Sequence, residues 1–510
     1  MLAKIISGAN IGLEANLVTC EVDISAQGLP SFTIVGLADR AVEESKERVR
    51  AAFRNSEAEF PLHRIIVNLA PADMPKEGPS YDLPIALGLL LASGQIPNNT
   101  NIIDFSKTLI AGELSLDGLL RRINGVLPLA ILAKQKGIKT MIVPKDNGFE
   151  AAVIEGVQVL APESLQQLVK ILLGQKELSI FPRPEVNLEG RQIYEYDFSQ
   201  IKGQEQAKRA LEIAAAGAHN ILLKGPPGAG KTLLARSFPS ILPPLNFDEA
   251  LEVTKIYSIA GLLDNGNSLV TARPFRSPHH SASYVGLLGG GNNIRPGEIS
   301  LAHRGVLFLD EVAEFPRQSL ESLRQPLEDQ RITISRSSGS VMLPAQFILL
   351  AAQNPCPCGF LGSRNKNCNC MPGQIAKYKR RISGPFLDRV DIYLEVPAVE
   401  VDKLSADLTG ENSTQIRSRV TAARNIQQHR FKGKILTNAE MKNSDIKQYC
   451  VVTKEGMDLL KMAISSLNLS ARGYHRVLKL SRTIADLAGE ENIQAEHIAE
   501  ALQYRAKDDS

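Results

Sequence analysis

A glycine-rich loop between an apolar run and the pair Lys231-Thr232 has the composition of a phosphate-binding cradle. The apolar run predicts a buried strand, and the lysine and threonine open a helix. Glycines leave backbone N–H groups free to surround a triphosphate, while the lysine reaches the outer phosphates and the hydroxyl can ligate Mg²⁺. An ordinary strand–turn–helix connection is the alternative, but every fixed position of the pattern is filled. The predicted ATP-binding residues are Gly225, Pro226, Pro227, Gly228, Ala229, Gly230, Lys231 and Thr232.

Two acidic residues, Asp310 and Glu311, follow the apolar residues 306–309. Such a run predicts a central parallel strand, and ligands bind at the carboxyl ends of strands in open α/β sheets. Asp310 is suited to hold the hydrated Mg²⁺ together with Thr232, and Glu311 to polarise the attacking water. Solvation of a strand end would also explain two carboxylates. Because the chain already carries the phosphate loop, we predict ATP hydrolysis.

Two other positions are candidates for contacts with the nucleotide. Asn354 ends a third predicted strand, residues 347–352, where an amide could sense the γ-phosphate and orient the water. Ile201 precedes the phosphate-loop region, where an apolar side chain commonly covers the adenine base. Packing in the core would explain Ile201 nearly as well.

Four of the six cysteines, Cys356, Cys358, Cys368 and Cys370, lie within one short segment. Four thiolates on a turn-rich loop could complete a tetrahedral Zn²⁺ site, and four reduced thiols are the alternative. The remaining two cysteines are distant in the chain. This usage fits a reducing compartment better than a disulfide framework.

Length and composition restrict the class of protein. A chain of 510 residues with a formal net charge of +3 predicts several domains and no global attraction to nucleic acid. The absence of Trp and an aromatic content of 5% argue against a surface that stacks single-stranded bases. The sequence has neither a signal-peptide pattern nor an apolar run of bilayer length, so we expect a cytoplasmic protein without a membrane partner.

The pattern along the chain predicts an α/β multidomain protein. Residues 1–174 form a mixed α+β domain, and residues 175–196 are a proline-containing linker without periodicity. Residues 197–398 carry the phosphate loop and a parallel-sheet core, and residues 399–510 form a helical lid.

Within the first domain, the segment Lys-Glu-Gly-Pro-Ser at residues 76–80 resembles the proteolytic domain of Lon-type proteases. The segments 112–118 and 137–144 match the same domain in order. Ser80 lies at the position of the Lon nucleophile, but Leu127 occupies the position of the general-base lysine. A serine without a base is a poor nucleophile, so the resemblance implies a Lon-like fold without peptidase activity.

The order of motifs in the second domain resembles the magnesium-chelatase-like branch of AAA+ ATPases. By that resemblance Asn354 is the sensor 1 residue, and Arg389 is an arginine finger offered to the ATP of a neighbouring subunit. Arg472, in the lid, is the sensor 2 residue. A solvated or salt-bridged side chain is the alternative for either arginine.

The whole chain resembles the ComM/YifB group of bacterial proteins. In that family a glycine-rich insert, here near residues 286–291, and a β-hairpin, here residues 331–343 with Arg336 near its tip, face a ring pore. The resemblance implies a hexamer that couples ATP hydrolysis to movement on DNA and to branch migration in natural transformation. The alternatives are a chelatase-type remodeller of a protein partner, whose pattern lacks the Lon-like domain, and an ATP-dependent protease, which Leu127 disfavours.

Overall fold

The computed structural model describes residues 2–97, 102–188, 194–264, 266–291, 294–336, 339–362, 366–398, 410–433, 435–467 and 469–505. The side chain of Arg336 lies outside the described part. The chain divides into two compact units. The N-terminal unit comprises Met1–Leu188 and Phe247–Thr271, and the C-terminal unit comprises Glu189–Asn246 and Ala272–Ser510.

The two N-terminal strands are the longest of the described strands. The strands are β1 Leu2–Ile11, β2 Glu14–Ser25, β3 Ser31–Val35, β4 Arg64–Ala70, β5 Thr108–Ile110, β6 Glu113–Leu114, β7 Leu120–Arg121, β8 Thr140–Ile142, β9 Gln158–Leu160, β10 Ile221–Lys224, β11 Phe275–Arg276, β12 Gly289–Gly290, β13 Arg295–Pro296, β14 Val306–Leu309, β15 Arg331–Arg336, β16 Gly339–Pro344, β17 Ile348–Gln353 and β18 Ile392–Glu395.

The α-helices are longest near the C-terminus. They are α1 Arg40–Glu43, α2 Ser45–Asn55, α3 Asp82–Ala92, α4 Val126–Gln135, α5 Gly148–Ala152, α6 Leu165–Leu172, α7 Glu205–Gly217, α8 Lys231–Ser237, α9 Phe247–Ala260, α10 Tyr284–Leu288, α11 Glu298–Leu301, α12 Arg317–Ser322, α13 Arg324–Asp329, α14 Pro372–Lys379, α15 Gly384–Leu387, α16 Ser413–Phe431, α17 Asn443–Tyr449, α18 Lys454–Ser466, α19 Ala471–Ala488 and α20 Ala495–Gln503.

The N-terminal unit is built on a mixed sheet of order β3-β4-β2-β1-β5-β8-β9. The long hairpin of β1 and β2 is antiparallel, whereas β5, β8 and β9 are parallel to one another. Helix α3 packs on β1 and β2, and all of its residues are buried, because after Asp82 its sequence is apolar on every side. The predicted α+β character of this region is observed.

Helix α9 also belongs to the N-terminal unit, although in sequence it lies between α8 and β11 of the other unit. It packs against α4, and the N–H of Gly125 donates to the carbonyl of Ser258 at 3.1 Å. The chain therefore enters the N-terminal unit a second time from within the range that the sequence assigns to the ATPase core.

The C-terminal unit contains the parallel sheet that the apolar runs predict. Its order is β11-β14-β17-β10-β18, and every neighbouring pair is parallel. Strands β14 and β17 are buried along their whole length, because neither contains a polar residue before its carboxyl end. Strand order places the ends of β10, β14 and β17 side by side, and the predicted site residues follow these three ends.

Two further parts of the C-terminal unit lie outside this sheet. Strands β15 and β16 form an antiparallel hairpin directly before β17, as the sequence predicts. Helices α16 to α20 follow, and α19 packs on both α20 and α16. Across the described ranges, no helix combines the length and the apolar character needed to cross a membrane.

Candidate nucleotide-binding site

Two positions in the loop between β10 and α8 require glycine, one because of a close contact and the other because of its backbone conformation. A Cβ on Gly225 would lie 2.1 Å from the carbonyl oxygen of Val396, so only glycine lets the end of β10 lie this close to the chain after β18. Gly230 precedes α8 with φ +84°, a left-handed conformation that side chains disfavour. No atom lies within 4 Å of the Cβ position of Gly230, so the loop faces open space.

That space is a cavity of about 360 Å³ at the carboxyl edge of the parallel sheet. It is large enough for a small-molecule ligand and contains charged groups at its wall. Its lining residues are Pro227, Gly228, Ala229, Gly230, Lys231, Thr232, Leu233, Asp310, Glu311, Ala352, Gln353 and Asn354.

Lys231 reaches across this cavity. Its Nζ donates to the carbonyl oxygens of Gly225 at 2.7 Å and Pro226 at 2.9 Å, and to Oδ1 of Asn354 at 3.1 Å. Burial lowers the pKa of the Lys231 ammonium, while Asp310 and Glu311 oppose that shift. Phosphate oxygens can replace carbonyl acceptors, so the residues present fit a bound triphosphate.

Thr232 and Asp310 form the pair that would hold Mg²⁺. The Thr232 hydroxyl donates to Oδ2 of Asp310 at 2.9 Å, so both oxygens could ligate one ion. Glu311 follows with φ +50°, a strained conformation for a residue with a side chain, and its N–H donates to Oδ1 of Asp310 at 3.0 Å. Such strain is typical of functional sites, where it fixes the direction of a side chain.

The structure does not bring every predicted residue to the cavity. Ile201 is 4% exposed and lies in the core of the C-terminal unit. Arg389 is paired with Glu328 of α13 and donates to the carbonyl of Pro385 at 2.7 Å. The Nη1 of Arg472 donates to Asp388 at 3.1 Å.

Sequence reasoning missed two residues that contact the site. Tyr378 is buried, and its hydroxyl is hydrogen-bonded to the backbone of Asn354. Burial raises the pKa of Tyr378 to about 12, with the Glu314 and Glu311 charges adding to the shift. The second missed residue is Gly359, whose Cβ position lies 2.5 Å from Cδ of Pro227. No motif or residue spacing in the sequence predicts either contact, because each contact joins segments that are distant in sequence.

The four clustered cysteines converge in space. The ligand atoms of Cys356, Cys358, Cys368 and Cys370 all lie within 4.8 Å of one another, and no disulfide joins them. Cys356 is buried, and the other three are half-buried. Because Cys356 is two residues beyond Asn354, this cluster lies close in the chain to the nucleotide cavity.

Comparison with known proteins accounts for nearly all of the chain. Three family models match: "Magnesium chelatase, subunit ChlI" at residues 197–404, "Subunit ChlI of Mg-chelatase" at 20–147 and "Magnesium chelatase, subunit ChlI C-terminal" at 410–505. Competence protein ComM of Haemophilus influenzae is 45% identical over 99% of this chain and 97% of its own length. The chain belongs to the ComM/YifB family of magnesium-chelatase-like AAA+ proteins.

Another relative of this ComM/YifB protein is YifB of Escherichia coli, which is 44% identical over 98% of this chain and 96% of its own length. AAA+ proteins of the chelatase family are ATPases that use Mg²⁺, which agrees with the cavity described above. The model that matches residues 20–147 is also named for the chelatase subunit. The chain is therefore placed in the ComM/YifB family by its identity to these relatives over the full length, and not by a match of the N-terminal region alone.

The resemblance to Lon proteases is partial. Lon protease 2 of Bacillus subtilis is 28% identical over 32% of this chain and 31% of its own length. Leu127, at the position predicted for a base, is fully buried, and its N–H donates to Oε1 of Glu150 at 2.9 Å. A Lon-like fold for the N-terminal unit thus stays a prediction.

Proposed function

We propose that this chain forms a hexameric ring that hydrolyses ATP to move along DNA and to drive branch migration in recombination. Membership in the family supports the ATPase activity. The name of the Haemophilus influenzae relative associates that protein with competence. Natural transformation is therefore the proposed setting, the cytoplasm the proposed compartment, and single-stranded or branched DNA of any sequence the proposed substrate.

The observation that carries the proposal is the surface of the hairpin β15–β16. One face packs inward through Ile332 and Leu343, which are 2% and 0% exposed. The other face is exposed and carries a guanidinium, three hydroxyls and a methionine: Arg331, Thr333, Ser335, Ser340 and Met342. Arginine and hydroxyl side chains are typical donors to DNA phosphates, which are contacted without reading sequence.

The hairpin is directly connected to the cavity. Strand β16 ends at Pro344, and β17 then runs from Ile348 to Gln353 and leads to Asn354. A change at Asn354 on hydrolysis can thus be transmitted to the hairpin through one short strand. Exposed Lys377 and Arg380, which lie on either side of Tyr378 near the end of α14, add positive charge to the same part of the chain.

The residues around the cavity support the following division of work in hydrolysis. Lys231 and the loop N–H groups would bind the phosphates, and Thr232 and Asp310 would hold Mg²⁺, whose charge would offset that of the phosphate oxygens. Glu311 orients the attacking water and accepts its proton. Asn354 positions the same water from the end of β17.

The arginines complete the proposed site only in an assembled ring. Arg389 would leave Glu328 to stabilise charge on the γ-phosphate bound by the neighbouring subunit. Arg472 would contact nucleotide from the lid after leaving Asp388. Ile201 would need to move out of its core to reach the base, so Ile201 is the weakest of the proposed contacts.

The test measures ATP hydrolysis and DNA movement by the purified full-length protein. We expect a hexamer in native mass spectrometry with ATP, hydrolysis stimulated by DNA of any sequence, and ATP-dependent migration of a four-way junction. Binding should weaken steeply with salt, because phosphate contacts release counterions. Arg331→Ala should reduce junction migration and DNA stimulation but retain basal hydrolysis, as should Arg336→Ala. The matched control is Lys461→Ala, since Lys461 is exposed on α18.

A chelatase-type remodeller of a protein partner is the second candidate, because all three family models carry the chelatase name. If neither junction nor duplex DNA binds or stimulates the hexamer at low salt, the DNA motor is excluded. Stimulation by a protein partner would then support the remodeller. Peptide hydrolysis that depends on ATP would instead support the protease alternative.

A further inference from the structure

We propose that Cys356, Cys358, Cys368 and Cys370 hold one Zn²⁺ that fixes Asn354 against the phosphate loop. The metal's task rests on the role proposed above for Asn354 in ATP hydrolysis, and it does not depend on movement along DNA. The proposal comprises a metal site and the positioning of Asn354 by that site. Each part follows from separate contacts in the C-terminal unit.

The sulfur atoms have nearly the separations that a tetrahedral zinc site requires. The Sγ of Cys356 lies 3.4 Å from that of Cys358 and 3.6 Å from that of Cys368. The Sγ atoms of Cys358 and Cys368 are also 3.6 Å apart. With zinc–sulfur bonds of about 2.3 Å, the edges of a regular tetrahedron measure about 3.8 Å. A small outward movement of these three thiols therefore admits the ion, and the Sγ of Cys370, which lies within 4.8 Å of each of them, completes the set of four ligands.

Backbone donors already surround the sulfurs. The N–H of Leu361 donates to Sγ of Cys356 at 3.4 Å, and the N–H groups of Phe360 and Asn369 are directed at Cys358. Donors in this arrangement stabilise the negative charge that thiolate ligands keep when they bind Zn²⁺. Binding releases the thiol protons to solvent and needs no oxidant or reductant.

The task of the site follows from what its loop touches. The segment that begins at Cys356 is joined to Asn354 by one residue, Pro355. The loop packs on the phosphate loop, where the Cβ position of Gly359 lies 2.5 Å from Cδ of Pro227. Gly359, which contacts Pro227, directly follows the ligand Cys358, and the ligand Cys356 lies two residues after Asn354.

The chain after the last ligand returns to Asn354 as well. Helix α14 begins at Pro372, two residues after Cys370, and its Tyr378 is hydrogen-bonded to the backbone of Asn354. A metal ion that links residues 356 and 370 therefore restrains both segments that hold the asparagine. Four reduced thiols would exert no comparable restraint, because thiol hydrogen bonds are weak.

Zinc removal should consequently affect hydrolysis more than binding. Asn354 is a positioning residue for the attacking water, and small displacements at a reacting centre reduce rates by on the order of 10²-fold. Lys231 and the glycine loop bind phosphates without the cluster. We expect kcat to fall with little change in the affinity for ATP.

The experiment uses the full-length protein purified without chelator, with no DNA in the assay. We expect about one zinc per chain by elemental analysis, and tetrahedral thiolate spectra after Co²⁺ substitution. Cys368→Ser with Cys370→Ser should lose the metal and reduce kcat while a fluorescent ATP analogue still binds. Cys450→Ala is the control, because Cys450 is buried among lid helices away from the cluster.

Two further measurements test the proposal even if the double cysteine variant misfolds. Cys370→His keeps a metal ligand and should retain both zinc and kcat. Zinc can also be released from the wild-type protein with a mercurial reagent, while circular dichroism monitors the fold. Wild-type protein that is purified without chelator and contains no zinc, yet has full ATPase activity, overturns the metal site. Zinc loss without a change in kcat, in a folded protein, overturns the positioning role.

Discussion

The phosphate loop and the Ser80 turn each match a known sequence motif with polar groups at the start of a helix. The residues that surround the two segments differ. Around the phosphate loop, Lys231, Thr232 and Asp310 make hydrogen bonds that a ligand can replace, and they line a cavity of about 360 Å³. Ser80 lies on a short turn before α3, and Leu127 is fully buried.

Near the Ser80 turn, the buried charged group Asp82 is bonded to residues of its own unit. Asp82 is fully buried and accepts from Nε of Arg48 at 2.6 Å and from the N–H of Leu114 at 3.1 Å. Burial raises the pKa of the Asp82 carboxyl, and the bonds from Arg48 and Ser45 oppose that shift. The two regions thus differ in their polar atoms, because those of the phosphate loop have exchangeable partners beside a cavity, whereas the Asp82 carboxylate is buried among partners of its own unit.

The largest expected effect is at the ATP cavity. Glu311→Gln should bind ATP but lose hydrolysis by on the order of 10³-fold, because the amide cannot accept the proton of water. The measurement is single-turnover hydrolysis together with nucleotide binding. Glu314→Gln, three residues on and outside the cavity lining, is the control. Near-normal hydrolysis by Glu311→Gln would remove Glu311 from the proposed mechanism.

Arg389 tests whether the ATP site is completed between subunits. Arg389→Ala should retain ATP binding and lose hydrolysis by on the order of 10²–10³-fold, as expected for loss of one stabiliser of developing charge. Rings that mix Arg389→Ala subunits with Lys231→Ala subunits should recover some activity. At one type of interface in such a ring, an intact Lys231 of one subunit faces an intact Arg389 of its neighbour. Verified mixed rings without recovery would contradict a finger supplied in trans.

The release of Arg389 from Glu328 is a second test at this position. Glu328→Gln removes the partner that holds the guanidinium within its own chain. If that pair opposes the active arrangement, ring hydrolysis should rise slightly, by less than about tenfold, because an exposed partner contributes at most about 1 kcal/mol. A strong loss of hydrolysis would show that Glu328 supports the active state.

Glu150 tests the opposite side of the comparison, a polar group with a structural role. It accepts from the N–H of Leu127, from the Asn147 amide at 3.0 Å and from the Ser258 hydroxyl of α9. Glu150→Ala leaves these buried donors without an acceptor, so the N-terminal unit should lose about 3 kcal/mol of stability. Hydrogen exchange of α4 and α9 measures it. Exposed Glu155→Ala is the control and should change little.

The smallest effect is expected at Ser80. Ser80→Ala should change neither ATP hydrolysis nor the digestion of an unfolded protein, because buried Leu127 stands where the resemblance to Lon proteases predicts the base. The assay is casein digestion with ATP by wild-type and variant hexamers. Digestion by the wild type that the variant lacks would restore the protease hypothesis.

Particular elements show how far sequence reasoning reached. The apolar runs before Gly225 and Asp310 predicted buried parallel strands, and β10 and β14 lie there. Residues 197–398 were predicted as one core, but α9 within that range packs on α4 of the N-terminal unit. Three of its buried residues, Ala250, Val253 and Ile256, are apolar, which indicates a buried face without saying which domain covers it. The domain boundaries themselves stay predictions.

The sequence by itself determined the features that depend on neighbouring residues. Strand, glycine loop and helix are contiguous from Ile221 to Thr232, and the acidic pair directly follows its strand. Local sterics and local apolar patterns encode such units.

Only the tertiary structure decided the contacts between distant residues. It paired Arg389 with Glu328 and Arg472 with Asp388, placed Ile201 in a core, and brought Tyr378 to Asn354. Charged and aromatic side chains have many partners of suitable chemistry along a chain of this length, and packing of the whole unit selects one. That selection is a long-range property, so no local spacing in the sequence records it.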